Sequence, residues 1–171
     1  MKIVQADFND IPQLVELVNS AYRGDSSRQG WTTEADFLEG IRVNENSLGK
    51  MMEASGSYVF KCVENNRLVG CVYMSEHNES LYLGMLTVSP LLQGKGIGKS
   101  LLHFADEFAK EKKFQAIEMT VISIRKELID WYKSKGYVDT GIKKPFPMDD
   151  PEFGLPKIPL EFIVLKKTIS K

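Results

Sequence analysis

The stretch SPLLQGKGIGKSLL, residues 89–102, carries glycines at the alternate positions 94, 96 and 98 and lysines at 95 and 99. Each glycine adds backbone entropy that folding must overcome, so this density indicates a loop whose backbone binds a ligand. Successive N–H groups from Gln93 to Lys99 can surround an anion at the beginning of a helix, where the helix dipole adds positive potential. The alternative is a glycine-rich turn with solvated lysines.

Two well-known phosphate motifs match this loop only in part. A nucleotide P-loop has the pattern G-x-x-x-x-G-K-[ST], and Gly98-Lys99-Ser100 supplies its end, but Gln93 stands where the first glycine belongs. A dinucleotide-binding loop, G-x-G-x-x-G, requires glycine where the chain has Lys99, and it should open a β-α-β unit. A diphosphate cradle of another kind is the interpretation that survives.

The composition predicts one globular domain over residues 1–171. Hydrophobic residues make up 43% and charged residues 26%, which is usual for a soluble domain. The formal net charge of −1 provides no basic field that would attract nucleic acid or a membrane surface. No apolar run approaches the roughly 20 residues of a membrane span, and the N-terminal MKIVQADFND contains no signal-peptide hydrophobic segment. We therefore expect neither nucleic acid nor a membrane as a partner.

The two cysteines, Cys62 and Cys71, flank a predicted two-residue hairpin turn at Asn65-Asn66. In the predicted register Cys62 faces Val69, and Cys71 is its diagonal neighbour. Diagonal Cα atoms lie about 7–8 Å apart, which exceeds the usual disulfide range of about 4.4–6.8 Å. Two reduced, buried cysteines are expected, and this favours a cytoplasmic location.

The hydrophobic pattern predicts an α/β protein (an α+β mixed sheet) with elements in the order β-α-α-β-β-β-α-β-α-β-β. Strands are predicted over residues 2–6, 57–64, 67–76, 81–88, 116–123, 137–143 and 160–169. Helices are predicted over residues 10–22, 32–43, from the glycine loop to about 113, and 125–136, the second with a capping box of Thr33 and Asp36. The late strand-helix-strand run requires a parallel pair, so we expect one mixed sheet with helices on its faces.

The loop and its surroundings resemble those of a known family. Gln93-Gly94-Lys95-Gly96-Ile97-Gly98 resembles the [QR]-x-x-G-x-[GA] motif of the GNAT superfamily, the acyl-CoA-dependent N-acyltransferases. MLTVSPLLQGKGIGKSLL (85–102), ELIDWYKSKGY (127–137) and DFNDIPQLVELV (7–18) are similar to that family's central strand, arm and helix, its late helix, and its opening segment. The resemblance covers essentially the whole chain. It implies a GNAT-like fold whose sheet is splayed between the fourth and fifth predicted strands.

The resemblance implies acetyl-CoA as the acyl donor. Its pyrophosphate would lie on Gln93, Gly94, Lys95, Gly96, Ile97, Gly98 and Lys99, and its pantetheine arm would pair with the backbone of Leu86, Thr87 and Val88. Many family members have an Asn that contacts the cofactor seven residues before a late Tyr. This chain has Arg125 there, and a contact to a phosphate or the pantetheine is expected of it instead.

The resemblance also implies direct attack by a primary amine on the thioester in a ternary complex, with Tyr132 as the general acid. The alternative for Tyr132 is a packing aromatic beside Trp131. The predicted strand 81–88 has no acidic residue where many members place a base, so water or one of Glu34, Asp149 and Asp150 is expected in that role. No His, Cys and Asp cluster has metal-ligand spacing, and no metal is expected.

Two loops, residues 22–34 and 145–156, are rich in charged and aromatic residues, as loops with a function often are. The candidate acceptor-binding residues in them are Arg23, Arg28, Trp31, Glu34, Phe146, Asp149 and Asp150. Their charges suggest a small acceptor whose amine is drawn to Asp149 and Asp150 and whose carboxylate is held by an arginine fork at Arg23 or Arg28, with Arg28 the residue to test by substitution. The alternative to an enzyme is a non-catalytic CoA-binding or protein-interaction module on the same fold. Assembly into a homodimer also stays open.

Overall fold

The computed structural model describes residues 1–148 and 154–169, with seven strands of one sheet at its centre. The first half contains β1 (Lys2–Gln5), α1 (Ile11–Tyr22), α2 (Gly24–Ser27), β2 (Leu38–Glu39), α3 (Glu45–Glu53), β3 (Ser57–Glu64), β4 (Arg67–His77) and β5 (Ser80–Val88). The second half contains α4 (Ile97–Glu111), β6 (Ala116–Ile122), α5 (Lys126–Ser134), β7 (Val138–Pro145), β8 (Leu155–Pro156) and β9 (Glu161–Thr168). Short 3-10 turns at Phe8–Asp10 and Pro90–Leu92 precede α1 and the glycine loop.

The large sheet has the strand order β1-β3-β4-β5-β6-β9-β7, and β2 pairs with β8 in a separate two-stranded sheet. β5 and β6 are parallel and are connected through α4, whereas the other neighbouring strands of the large sheet are antiparallel. The predicted mixed sheet is therefore confirmed. The β2–β8 pair was not predicted, because two-residue strands are too short to show a period in the sequence.

The large sheet opens between β5 and β6. Within residues 80–122, all of which are described, the two strands are paired only at Ser80–Ala116, Leu81–Ile117 and Tyr82–Glu118. Beyond this point the strands part, and the register between β4 and β5 shifts close to Met85, whose φ of +52° is unusual for a residue with a side chain. The splay predicted between the fourth and fifth strands is confirmed.

Helices cover both faces of the sheet, and each face has its own hydrophobic core. On one face α1 and α3 bury Leu14 and Leu48 near Met85. On the other face α4 and α5 bury Leu101 and Ile129. Each fully buried side chain of this kind contributes about 1.5–3 kcal/mol relative to leaving it exposed. None of the helices in the described part of the chain is both long enough and apolar enough to cross a membrane.

The helix predicted over residues 32–43 is wrong. The segment is a loop that contains β2, and Gly40 within it has a φ of +83°, which a regular helix does not accommodate. The helix lies further on, as α3. Its capping box is formed by Asn44 and Ser47, and the side chain of each accepts a hydrogen bond from the backbone N–H of the other. The capping box predicted at Thr33 and Asp36 is therefore wrong.

The hairpin turn at Asn65-Asn66 is confirmed, with φ of 51° and 59° as a two-residue turn of this kind requires. The prediction that Cys62 faces Val69 is wrong, because a register shift in β3 and β4 places Cys62 opposite Gly70. Cys71 therefore points to the opposite face of the sheet from Cys62, and each cysteine belongs to a different core. Both are buried and free.

Candidate active site

The glycine loop leads from β5 into α4 with an open backbone. Gly94 and Gly96 have φ of +83° and +86°, a region that glycine adopts without strain. A Cβ built on either would meet no atom of the described residues within 4 Å, apart from its own neighbours in the chain. Gly96 caps α4 without a side-chain hydrogen bond, and the first N–H groups of a helix have no partner inside it. These N–H groups, with Lys99 beside them, provide donors and positive potential for an anion.

Gly98 has a different role from the other two glycines. A Cβ at this position would lie 3.2 Å from Cη2 of Trp131, so glycine allows α5 to pack closely against the beginning of α4. Trp131 also makes an edge contact with Trp31, the ring centroids lying 5.9 Å apart. The packing at Gly98 therefore brings the helix that carries Tyr132 next to the glycine loop.

A cavity of about 720 Å³ lies over the loop, and we call it the loop cavity. Its wall includes the end of β5, the beginning of α4, and one side of α5. The lining residues are Tyr22, Trp31, Thr32, Leu86, Val88, Gln93, Gly94, Gly96, Ile97, Gly98, Lys99, Glu127, Leu128, Asp130, Trp131, Tyr132, Ser134 and Lys135.

A second cavity of about 460 Å³, the cleft cavity, lies where β5 and β6 part. Residues 82–86 of β5 and 119–122 of β6 form its two sides. Its charged lining residues come from other parts of the chain and are Arg23, Glu34, Arg42, Arg125 and Lys144.

The two cavities meet at a junction of four residues. Tyr22, Leu86, Leu128 and Tyr132 line both of them. The Tyr22 hydroxyl donates a hydrogen bond to the carbonyl oxygen of Leu86, which fixes α1 against the splayed part of β5. Burial raises the pKa of Tyr22 to about 12, and the charge of Arg125 partly offsets this effect.

Tyr132 is the functional candidate at this junction. Only 5% of its surface is exposed, and its ring makes edge contacts with Trp131 at 5.1 Å and Tyr137 at 5.8 Å between centroids. Burial raises the pKa of Tyr132 well above its usual value. The hydroxyl is therefore a protonated donor at neutral pH, at the place where the loop cavity passes into the cleft cavity.

Glu34 joins two arginines that are far from it in the sequence. Its Oε1 accepts hydrogen bonds from Nε and Nη2 of Arg23, at 3.1 and 3.0 Å. Its Oε2 accepts from Nη1 of Arg125 at 3.1 Å. The Glu34 and Arg125 side chains are 8% and 7% exposed, so this pair is held in a low-dielectric setting. Burial lowers the pKa of Arg23, and the charge of Glu34 opposes this effect.

Residues 31–34, which we call the strap, connect the two cavities. The side chain of Gln93 binds one end, because its Oε1 accepts from the N–H of Trp31 at 2.7 Å and its Nε2 donates to Oγ1 of Thr32 at 2.7 Å. Arg125 binds the other end through Glu34 and the carbonyl oxygen of Thr32. The strap is thus fixed by one residue of the glycine loop and by one at the beginning of α5.

The residues predicted to bind the acyl donor lie in different places in the structure. Those that line the loop cavity are Leu86, Val88, Gln93, Gly94, Gly96, Ile97, Gly98 and Lys99. Thr87 is 1% exposed, and its hydroxyl donates to the carbonyl oxygen of Met85 at 2.9 Å. Lys95 lines a shallow depression beside His103. Arg125 lines the cleft cavity, where Glu34 engages it.

The predicted acceptor-binding residues are also divided. Those that line the cleft cavity are Arg23, Glu34 and Phe146. Trp31 lines the loop cavity instead. Arg28 lies on the surface with 48% of its side chain exposed, where its Nη1 donates to Oδ1 of Asp36 at 2.7 Å, and the described lining of both cavities does not include it. Asp149 and Asp150 lie outside the described residues.

Several residues of the site, among them Tyr22, Arg42 and Lys144, were not predicted as functional from the sequence. Tyr22 was predicted only as the last residue of the helix over residues 10–22, although its hydroxyl reaches β5. Arg42 lies in the segment that was predicted to be a helix, and the structure places it in the lining of the cleft cavity. The signal for Arg42 was its position two residues before the Asn44 cap, since residues that precede a helix cap lie in a loop.

The described residues, 1–148 and 154–169, contain no group of three or more His, Cys, Asp or Glu side chains that is arranged to hold a metal ion. A family model described as the acetyltransferase (GNAT) domain matches residues 23–148, and the chain belongs to this family. No protein of curated function matches the sequence.

Solved structures share the fold over most of the chain. The ribosomal-protein-S18-alanine N-acetyltransferase from Escherichia coli has a TM-score of 0.74 at 14% identity, covering 99% of this chain and 94% of that one. The ribosomal-protein-alanine N-acetyltransferase from Brucella melitensis has a TM-score of 0.73 at 20% identity, covering 99% and 100%. A GNAT family acetyltransferase from Elizabethkingia anophelis with acetyl-CoA bound has a TM-score of 0.60 at 18% identity, covering 71% and 81%.

Proposed function

We propose that the chain is an acetyl-CoA-dependent N-acetyltransferase that moves the acetyl group to a primary amine within a ternary complex. The observation that carries this proposal is the junction of the loop cavity and the cleft cavity at Tyr132. The donor enters over the glycine loop and the acceptor enters through the cleft, so both substrates reach the same hydroxyl from different sides.

The loop cavity supports acetyl-CoA as the donor. The N–H groups at the beginning of α4 and the ammonium of Lys99 suit a pyrophosphate. Leu86 and Val88 lie on the part of β5 that has left β6, and backbone groups of a parted strand can pair with pantetheine amides. The acetyl-CoA bound to the Elizabethkingia anophelis relative, which shares the fold, is a further support.

The reaction joins the amine nitrogen to the thioester carbonyl carbon and breaks the carbon–sulfur bond. We assign Tyr132 as the general acid, which gives its proton to the departing sulfur and regains one from solvent. Its raised pKa keeps the hydroxyl protonated at neutral pH. Backbone N–H groups on the parted section of β5 stabilise the negative charge that develops on the carbonyl oxygen.

The amine must lose a proton during the reaction, since an alkylammonium ion has a pKa of about 10.4. Glu34 was one candidate base, but both of its carboxylate oxygens accept hydrogen bonds from arginines. We therefore propose that water in the cleft cavity receives this proton, while Glu34 holds Arg23 and Arg125 in position.

Mass spectrometry of mixtures of the protein, acetyl-CoA and a panel of amines tests the proposed function. We expect an acetylated primary amine and one free CoA thiol for each amide formed. Tertiary amines are the control, because they cannot form a stable amide. Binding of acetyl-CoA without an acetylated product from any primary amine would contradict the enzyme assignment and favour the CoA-binding module.

A further inference from the structure

The cleft cavity is strongly cationic in the part of the chain that the structure describes. Arg23, Arg42, Arg125 and Lys144 line it, and Glu34 is the one acidic side chain in its described lining. A cavity that is lined by one sign of charge and has low-dielectric walls concentrates ligands of the opposite sign. The charge of the described lining therefore disfavours a polycationic acceptor.

The carboxylate of Glu34 is shared by two of these cations. One oxygen accepts from Arg23 and the other accepts from Arg125. By contrast, no hydrogen bond or ion pair within the described residues engages the guanidinium of Arg42. Among the described residues of this lining, Arg42 is the arginine whose fork of N–H donors remains available to a ligand, and it is only partly exposed to solvent.

The backbone that carries Arg42 is held firmly. Oδ1 of Asn19 in α1 accepts from the N–H groups of Arg42 and Val43, at 2.7 and 3.1 Å. Nδ2 of Asn19 donates to the carbonyl oxygen of Val43 at 2.9 Å. These hydrogen bonds fix the backbone of Arg42 at the cavity wall. Ligand binding therefore costs little backbone conformational entropy at this residue.

We propose that the acceptor is an anionic amine, with a carboxylate or phosphonate a few bonds from its amino group, and that Arg42 binds this oxyanion. The inference rests on the proposed function and names the acceptor class for the same site. A guanidinium matches a planar or tetrahedral oxyanion with two parallel N–H donors. Arg42 and Tyr132 line the same cavity, so an acceptor whose anion binds Arg42 can present its amino group to Tyr132, one of the four residues that the two cavities share.

Arg42 takes the role that the sequence suggested for Arg28. Both are arginines of the segment that follows α1, but Arg28 pairs with Asp36 on the surface, outside the described lining of the cleft cavity. The two residues therefore provide a direct comparison between the anion site proposed here and the one expected from sequence.

Matched amines test this proposal. β-Alanine is compared with propylamine, and 2-aminoethylphosphonate with ethanolamine, in turnover with acetyl-CoA and in calorimetric titration into the CoA-bound protein. We expect the anionic member of each pair to be preferred in both measurements. Arg42→Ala should reduce this preference by about tenfold to a hundredfold, mostly through KM, because a charge-assisted pair is lost. Arg42→Lys should restore part of it, because the charge returns without the fork.

Arg67→Ala is the matched control, since it removes an exposed guanidinium from the start of β4. The proposal is overturned if neutral amines or diamines are preferred, if the Arg42 variants keep the wild-type preference, if Arg28→Ala removes it instead, or if no amine binds. Failure of the proposed function is distinguishable, because acetyl-CoA itself would then fail to bind or would give no amide with any amine.

Discussion

Tyr132 and Tyr137 are neighbouring phenols with different surroundings. Their ring centroids lie 5.8 Å apart, and burial raises the pKa of both. Tyr132 lines both cavities, whereas the Tyr137 hydroxyl is buried with no hydrogen-bond partner among the described residues. Replacing each tyrosine with phenylalanine therefore separates the catalytic function of the Tyr132 hydroxyl from the general effect of removing a buried hydroxyl.

We expect Tyr132→Phe to lower kcat by about 10²- to 10⁴-fold, the usual contribution of a positioned proton donor. Its affinity for acetyl-CoA should stay close to that of the wild type, since the ring and its packing are kept. Tyr137→Phe is the control and should leave both quantities unchanged. Steady-state kinetics and calorimetry provide these values, and a wild-type kcat in Tyr132→Phe would reduce Tyr132 to a packing residue.

The pH profile is a second part of the same prediction. The raised pKa of Tyr132 keeps the acid protonated to above pH 10.0, its ordinary value. The free-base fraction of the amine increases with pH up to about 10.4. We therefore expect kcat/KM to rise with pH through this range. A descending limb below pH 10.0 that disappears in Tyr132→Phe would contradict the raised pKa of Tyr132.

For single residues, the sequence pattern suggested which side chains are functional but not which residues they contact. Glu34 and Arg125 were each predicted to be functional, yet their contact joins positions that are 91 residues apart. Arg42 was missed because it lay in a segment with apolar residues at helical spacing. Local pattern cannot show which of several arginines reaches a cavity, since that depends on tertiary packing.

Among the elements, the strap of residues 31–34 links the loop cavity and the cleft cavity. Gln93 makes three side-chain hydrogen bonds there, to Trp31, Thr32 and the carbonyl oxygen of Val88. Gly30 lies so close that a Cβ on it would meet the Gln93 amide at 2.3 Å. Gln93 thus shapes the chain beside the glycine loop through its side chain, in addition to any donor from its backbone.

We expect Gln93→Ala to lower the free energy of unfolding by about 1–3 kcal/mol, because it leaves half-buried polar groups without partners. Hydrogen exchange at the amide of Trp31 should become faster, since that N–H loses its acceptor. Gln29→Ala, an exposed change in the adjoining loop, is the control. Unchanged protection at Trp31 in Gln93→Ala would show that the strap is held by other contacts.

Elements with long, regular patterns were predicted well, as α1, α4 and β3 to β5 show. The segment 32–43 was predicted wrongly because its apolar residues serve tertiary contacts. Leu38, for example, lies in a small core with Ile122 and Phe146 instead of on a helix face. The reciprocal cap of Asn44 and Ser47 was the local signal that would have located the helix correctly.

For the whole molecule, one opening in the sheet organises both cavities. β6 keeps its full set of partners on β9, from Ala116–Thr168 to Ile122–Phe162, while it leaves β5 after three positions. The sheet therefore opens on one side of β6 and stays intact on the other. The motif beneath the loop cavity could be recognised because it is contiguous, whereas the lining of the cleft cavity comes from separate segments that only the folded chain brings together.

The most direct test of the central claim, that acetyl-CoA binds on the glycine loop and reaches Tyr132, is calorimetric titration of acetyl-CoA into Gly96→Glu and Gly96→Ala. Both variants place a side chain at a φ of +86°, so they share the same backbone strain, and circular dichroism checks that both are folded. We expect Gly96→Glu to bind about a hundredfold more weakly than Gly96→Ala, because its carboxylate opposes the pyrophosphate. Equal affinities of the two folded variants for acetyl-CoA would contradict the claim.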